Sequence, residues 1–137
     1  MSRKVDREIC YQMLFSTLFL NNEEQDFNEK LSIATEEELS EESKNYIKTT
    51  FTGVVEKRDE LEKIIEKHLK GYTLAGLYKT DLVGLLLAVY ELKFNTDIPQ
   101  KVVVNEIVEI CKKFSSPKSS QFVNGVLASI LKDMNNE

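Results

Sequence analysis

Glycine, proline and cysteine are scarce in this sequence. Its 137 residues include 5 Gly, 2 Pro and 2 Cys, together with one histidine and no tryptophan. So few turn-forming residues argue against a many-turned all-β sandwich and against a collagen-like or disordered chain. Apolar residues make up 42% and charged residues 30% of the chain. This balance and length predict one globular domain over residues 1–137.

Long apolar segments are also missing. The longest apolar run, Leu85 to Tyr90, is far shorter than the roughly 20 residues that a helix needs to span a bilayer. Charged residues interrupt the N-terminal segment, so no signal peptide is expected. Cys10 and Cys111 both fall on apolar helical stripes, which predicts two buried thiols. We therefore expect a cytoplasmic protein.

Basic residues are outnumbered, and the excess of acid is local. Lys and Arg total 18 against 23 Asp and Glu, for a net charge of −5, so the chain has no uniformly basic coat for nucleic acid. The segment from Asn21 to Ser43 holds nine acidic residues and one lysine. We interpret it as a solvated linker or helix face, and the rest of the chain is slightly basic.

Apolar residues recur at three- and four-residue steps along almost the whole chain, which is typical of helices. The stretch Lys79–Phe94 has almost no polar face, so it is expected to be the buried central helix. The fold class predicted is all-α, a single-domain bundle around that helix. The other predicted helices are Val5 to about Leu20, ended by Asn21-Asn22; Phe27–Ile33; Glu41–Lys70 with a break near Arg58-Asp59; one after Asp97; and a last one after a Ser115–Pro117 loop.

Two details of the later helices are also predicted. Asp97 is expected to cap the helix that has Pro99 in its first turn. Gly125 lies inside the last helix, where glycine costs about 1 kcal/mol relative to alanine. A close helix–helix crossing is the simplest compensation for that cost.

Catalytic residue patterns are nearly absent. His68 is the one histidine, and its Glu- and Lys-rich surroundings favour a surface or boundary position. The sequence has no nucleophile elbow, no phosphate-binding loop and no His/Cys spacing typical of a metal site. We expect neither an enzyme nor a cofactor or metal.

The N-terminus carries the first of two basic clusters, Arg3, Lys4 and Arg7. Such a cluster is either a frayed basic end or an arm that contacts phosphate, since the guanidinium group is a planar fork of donors. The sequence alone leaves both interpretations open.

The second basic cluster surrounds the predicted loop before the last helix. Lys112, Lys113 and Lys118 bracket the loop, with Phe114 and Phe122 on either side. Lysines beside aromatic rings suit single-stranded RNA, whose bases stack on rings while ammonium groups contact the backbone. From spacing alone, however, both phenylalanines are better interpreted as core residues.

Several short motifs stand in a specific order along the chain. They are Arg7-Glu8 with Gln12 and Leu14-Phe15; Phe51-Thr52-Gly53-Val54; Tyr90-Glu91-Leu92; Ile98-Pro99; Val104-Asn105-Glu106; and Phe122-Val123-Asn124-Gly125-Val126-Leu127. In this order and spacing they resemble the NusB family of transcription antitermination factors. The resemblance covers nearly the whole chain and is weak between residues 21 and 45.

The resemblance implies an all-helical domain of two three-helix-like halves. It implies binding of a boxA-type single-stranded RNA element in ribosomal RNA leaders or phage transcripts. The implied protein partner is NusE, which is also a protein of the small ribosomal subunit. The pair would join an RNA polymerase antitermination complex.

The same resemblance implies site residues. Arg3, Lys4 and Arg7 match the family's N-terminal basic segment and are the first RNA-contact candidates. Lys118, Gln121 and Phe122 match the loop and helix start of the second set. Gln12, Phe15 and Asp81 are candidates for the surface that faces RNA or NusE.

The chain departs from the family pattern at two basic positions. Gly76 and Leu86 stand where the resemblance leads us to expect arginine. Each lost phosphate contact weakens RNA binding and flattens its salt dependence. We therefore expect weak RNA affinity for the protein alone and a heavier dependence on NusE.

Three alternatives follow from the resemblance. The chain could be an adaptor that binds NusE with RNA contact largely lost. Self-association stays open, because some relatives pair through the surface used for partners. Similar domains also precede RNA cytosine methyltransferases, but no cofactor-binding domain follows here, so an enzyme is not expected.

Overall fold

A computed structural model of the chain describes residues 3–19 and 26–136, and within these ranges no strand occurs. The predicted end of the first helix at Asn21-Asn22 lies outside the described residues. Seven α-helices and one 3₁₀ turn (Leu74–Gly76) are described. The α-helices are α1 (Arg3–Phe19), α2 (Phe27–Ala34), α3 (Glu41–Glu56), α4 (Arg58–Glu66), α5 (Lys79–Phe94), α6 (Gln100–Phe114) and α7 (Pro117–Asn135).

The chain forms two compact units, Met1–Glu56 and Lys57–Glu137. In the first unit, α1 packs against α2 and α3. Its inward face repeats at helical spacing, with Cys10 and Leu14 both fully buried. The helix α2 begins where the side chain of Asp26 accepts a 2.8 Å hydrogen bond from the backbone N–H of Glu29.

The second unit contains four α-helices, one more than the three implied for each half. The predicted break in the long helical stretch occurs at Lys57, next to the expected Arg58-Asp59 position. The residues after this break form α4, which packs against α5 in the second unit. The extra helix, α4, is therefore the C-terminal part of the segment that the sequence predicts as one long helical stretch.

The helix α5 has the bounds that the sequence predicts, Lys79–Phe94. Every residue from Asp81 to Leu92 is buried, and in the second unit α4, α6 and α7 all pack against this helix. Burial on all sides explains why its sequence has almost no polar face. The all-α fold class is confirmed, because the described residues form seven α-helices and no strand.

The predicted helix starts need two corrections. Pro99, and not Asp97, occupies the position before α6. Pro117 is the first residue of α7 rather than part of a loop, and the side chain of Ser116 accepts a 3.1 Å hydrogen bond from the N–H of Ser119. A serine before a proline in the first turn is a favourable helix start.

The expected close crossing at Gly125 is wrong. The residue is exposed, and a Cβ added there would meet no atom within 4 Å. Gly71, which follows α4, has a positive φ of 80°, a conformation that favours glycine.

The cysteines Cys10 and Cys111 are both free and buried, as predicted. Among the helices in the described part of the chain, none has the length and apolar character needed to cross a membrane.

Candidate nucleic-acid interface

The N-terminal basic residues differ in their exposure. Lys4 is exposed and Arg3 is half-buried, but Arg7 is only 1% exposed. Its guanidinium carbon lies 5.9 Å from the centroid of the Tyr46 ring. A side chain this deeply buried has no surface to offer a phosphate, so the prediction of Arg7 as a direct RNA contact needs correction. Arg3 and Lys4 stay candidates.

Arg3 is engaged by two carboxylates and one ring within the first unit. Its guanidinium contacts Asp6 Oδ2 at 3.3 Å and Glu42 Oε1 at 3.2 Å. The same group lies 4.2 Å from the centroid of the Tyr46 ring, a cation–π distance. Asp6 is buried, and its Oδ2 also accepts a 3.0 Å hydrogen bond from Ser43. Any phosphate at Arg3 must therefore compete with neighbouring acidic groups.

The second predicted set is brought together in the second unit. Lys118, Gln121, Phe122 and Asp81 all line one cavity of about 570 Å³, which we call the α5/α7 cleft. The remaining lining residues are Tyr72, Gly76, Leu77, Tyr78, Ser116 and Ser119. Lys118 and Gln121 are exposed. The sequence thus identified four of the residues that share this cleft.

Two helix N-termini lie at the α5/α7 cleft. Tyr78 occupies the position before α5, and Ser116 the position before α7, and both line the cavity. The first backbone N–H groups of a helix have no intrahelical partner and carry partial positive charge. At α7, however, Pro117 has no N–H and the Ser119 N–H is hydrogen-bonded to Ser116, so the ammonium group of Lys118 is the feature that favours a phosphate here.

Asp81 is a buried member of the cleft wall, not the surface residue that the sequence suggested. It is 3% exposed, and its Oδ2 accepts a 3.2 Å hydrogen bond from Ser119. Its Oδ1 has no hydrogen-bond partner among residues 3–19 and 26–136. Burial raises the pKa of the Asp81 carboxyl, and the Ser119 hydrogen bond partly opposes that rise. Burial also raises the pKa of the Cys111 thiol to about 12, with a further contribution from the charge of Asp81.

The aromatic residues of this region are more accessible than their spacing suggested. Phe114 and Phe122 are half-buried and are not core residues. The ring of Phe122 meets the ring of Tyr72 edge-on, with 5.0 Å between centroids. Tyr72 is 59% exposed and Tyr78 is 73% exposed. Sequence reasoning missed both tyrosines as site residues; their position between two helices, outside any apolar periodicity, was the available signal.

Gln12 and Phe15 lie on α1 in the first unit, and both are half-buried. The Phe15 ring lies 5.9 Å from the Phe19 ring, and Gln12 lines a small pocket with residues of α2. A surface that contains Gln12, Phe15 and Asp81 stays a prediction.

His68 bonds to a serine and an aspartate, as the histidine of a hydrolase triad does, but with the opposite ring orientation. Its Nδ1 lies 2.8 Å from Ser129 Oγ, and its Nε2 lies 3.5 Å from Asp133 Oδ2. In a serine hydrolase, Nε2 faces the serine and Nδ1 faces the aspartate. Asp133 is also 70% exposed in its side chain. We interpret these contacts as a link between the turn after α4 and the helix α7.

A family model described as the NusB family matches residues 4–132 of the chain. The chain belongs to the NusB family. Transcription antitermination protein NusB of Clostridium botulinum is 35% identical, with 96% of this chain and 100% of the relative covered. The NusB protein of Ruminiclostridium cellulolyticum is 38% identical, with 96% and 90% covered.

Solved structures of NusB proteins have the same fold. Thermotoga maritima NusB matches with a TM-score of 0.86 at 30% identity, covering 96% of this chain and 92% of that chain. A chain in a crystal structure of the antitermination factors NusB and NusE with double-stranded RNA matches with a TM-score of 0.81 at 29% identity, covering 96% of each chain. The family resemblance seen in the sequence is confirmed.

The two positions where the resemblance led us to expect arginine have different surroundings. Leu86 is fully buried in α5, whereas Gly76 lines the α5/α7 cleft. An arginine at position 76 would therefore stand at the candidate interface, and one at position 86 would stand in the core.

Proposed function

We propose that this chain is a transcription antitermination factor that binds a boxA-type single-stranded RNA together with NusE. It joins an RNA polymerase antitermination complex on ribosomal RNA operons. The observation that carries this proposal is membership of the NusB family over residues 4–132. A relative of the same fold has been crystallised with NusE and double-stranded RNA, which supports NusE and RNA as partner classes.

Within this proposal, residues 1–137 act as one RNA- and protein-binding domain that works in the cytoplasm without catalysis. RNA phosphates contact Arg3 and Lys4 in the first unit and Lys118 in the second. Gln121 and Phe122 contribute an amide and a ring beside Lys118. Lysine and arginine supply the charge that phosphate binding needs, and a neighbouring ring supplies stacking.

Fluorescence anisotropy with a labelled boxA-like RNA tests this function, with and without NusE. We expect sequence-selective binding that NusE strengthens. Lys118→Ala should weaken it, whereas Lys132→Ala, which removes an exposed lysine from the same helix outside the cleft, should not. Equal losses in both variants would contradict the assigned site.

A second candidate function is an adaptor that binds NusE with RNA contact largely lost. It is favoured by the burial of Arg7 and by the acidic partners of Arg3. Capture of NusE without RNA binding in either condition would establish this alternative and exclude the RNA contacts proposed above.

A further inference from the structure

Two exposed tyrosines stand beside the α5/α7 cleft. Tyr72 and Tyr78 are the most exposed aromatic residues in the described part of the chain. Aromatic side chains usually bury a large area, and exposed ones are frequent at binding surfaces. Both tyrosines line the same cavity as Phe122, so three rings border a single cleft.

The backbone that carries the two tyrosines is fixed by local hydrogen bonds. Between them lies the 3₁₀ turn Leu74–Gly76, where the Gly76 N–H donates to the Thr73 side chain at 3.1 Å. The Tyr78 carbonyl accepts the N–H of Asp81 at 3.1 Å as α5 begins. Tyr72 is further restrained by its edge-on contact with Phe122. The backbone at both tyrosines and the ring of Tyr72 are therefore placed before any ligand arrives.

The charges around the cleft suit a nucleotide rather than an apolar ligand. Lys118 is exposed at the cleft, and the 19-residue helix α7 begins there with Ser116 as its cap. An ammonium group contacts phosphate, while exposed rings stack on a base. Asp81 is buried in the cleft wall, so the rings and Lys118, and not this carboxyl group, provide the accessible contacts.

We propose that the α5/α7 cleft takes a single unstacked base of the bound RNA, with Tyr72 and Tyr78 as stacking residues and Lys118 on an adjacent phosphate. The inference rests on the proposed RNA-binding function and names the nucleotide subsite that the family assignment leaves open. Stacking requires only a planar base, so the subsite tolerates any of the four bases.

Tryptophan fluorescence tests the stacking directly, because the chain has no tryptophan of its own. Tyr78→Trp introduces one fluorophore at the cleft, and titration with unlabelled boxA-like RNA should quench it at the midpoint measured by anisotropy. Phe94→Trp is the matched control, since Phe94 is 41% exposed at the opposite end of α5. We expect no quenching there.

Leucine substitutions measure the contribution of each ring. Tyr72→Leu and Tyr78→Leu should each weaken RNA binding about 5- to 150-fold, the range for loss of one base–aromatic stack. Tyr78→Phe should bind as the unmodified protein does, because it keeps the ring. Because Tyr78 is 73% exposed, its variants should unfold at the unmodified temperature, which separates binding from stability.

The outcomes separate the two proposals. RNA binding by the unmodified protein, with no quenching at Tyr78→Trp and no loss in the leucine variants, would overturn the stacking subsite and leave the function intact. Quenching by NusE in the absence of RNA would make the cleft a protein-binding surface instead. Absence of RNA binding with or without NusE would overturn both the function and the subsite.

Discussion

At the scale of single residues, Arg3 has the most consequential surroundings. Glu42 and Asp6 occupy donors of its guanidinium that a phosphate would also use. The two acids differ in accessibility, because Asp6 is buried whereas the Glu42 side chain is 84% exposed. A solvated ion pair contributes about 1 kcal/mol or less, so RNA can displace Glu42 at low cost.

Glu42→Gln should therefore tighten RNA binding about two- to fivefold, the range that corresponds to one exposed ion pair. Glu41→Gln is the control, since Glu41 is equally exposed at the same helix start but pairs with Lys44. Anisotropy at low salt measures both variants. The difference should vanish in an Arg3→Ala background, and its persistence there would show that Glu42 does not act through Arg3.

Replacing Gly71 and Gly125 by alanine should change the free energy of unfolding in opposite directions. Gly71 has a φ of 80°, so Gly71→Ala should destabilise the protein by about 1 kcal/mol. Gly125 lies within α7 with open space around it, so Gly125→Ala should stabilise it by roughly 0.5–1 kcal/mol. Urea unfolding measures both; a shared sign would contradict this account.

At the scale of elements, the buried Asp81 ties α5 to the start of α7 through Ser119. Burial raises its pKa above the ordinary value near 3.8. The folded protein therefore holds this proton to a higher pH than the unfolded chain does. The stabilisation from the bound proton is present at low pH and is lost as the pH rises through the folded pKa.

Asp81→Asn removes the loss of stability that accompanies deprotonation of Asp81, and it keeps a side-chain oxygen that accepts the Ser119 hydrogen bond. The free energy of unfolding of the variant, relative to the unmodified protein, should therefore rise as the pH increases from the ordinary value near 3.8 through the raised pKa of the folded protein. Urea denaturation of both proteins at several pH values measures this difference. The pH-dependent contributions of the other carboxyl groups are the same in both proteins and cancel. A difference that does not change with pH would mean that burial has little effect on this carboxyl group.

The elements could be predicted from the sequence more fully than the site. Lys79–Phe94 was predicted with its observed bounds because its apolar residues surround the whole helix, a pattern that requires burial on every side. The burial of Arg7 and Asp81 could not be predicted, because burial of charge depends on partners elsewhere in the chain. The exposure of Tyr72 and Tyr78 depends in the same way on packing between helices, which periodicity does not specify.

At the scale of the whole molecule, net acidity limits how strongly the protein can bind RNA by itself. The chain carries −5 overall, and the candidate phosphate contacts reduce to Arg3, Lys4 and Lys118. For single strands, each phosphate contact contributes about −0.7 to the slope of log affinity against log salt. A protein with so few contacts should depend on its partner.

Without NusE, we therefore expect a salt slope of magnitude about 2 or less, and weak binding. Lys118→Ala should reduce that magnitude by about 0.7, and NusE should raise the affinity. Anisotropy titrations over a range of salt concentrations give these slopes. A steep slope for the protein alone would mean that further basic residues contact the RNA.

The two compact units are synthesised one after the other. Each unit is one continuous stretch of chain, Met1–Glu56 and then Lys57–Glu137. Units of this kind fold from the N-terminus as they are translated, so we expect ribosome-bound chains that end before Lys118 to protect the first unit from protease. The Arg3–Tyr46 contact would then be in place before the residues of the α5/α7 cleft have all been translated, and the two candidate RNA-binding regions would mature one after the other.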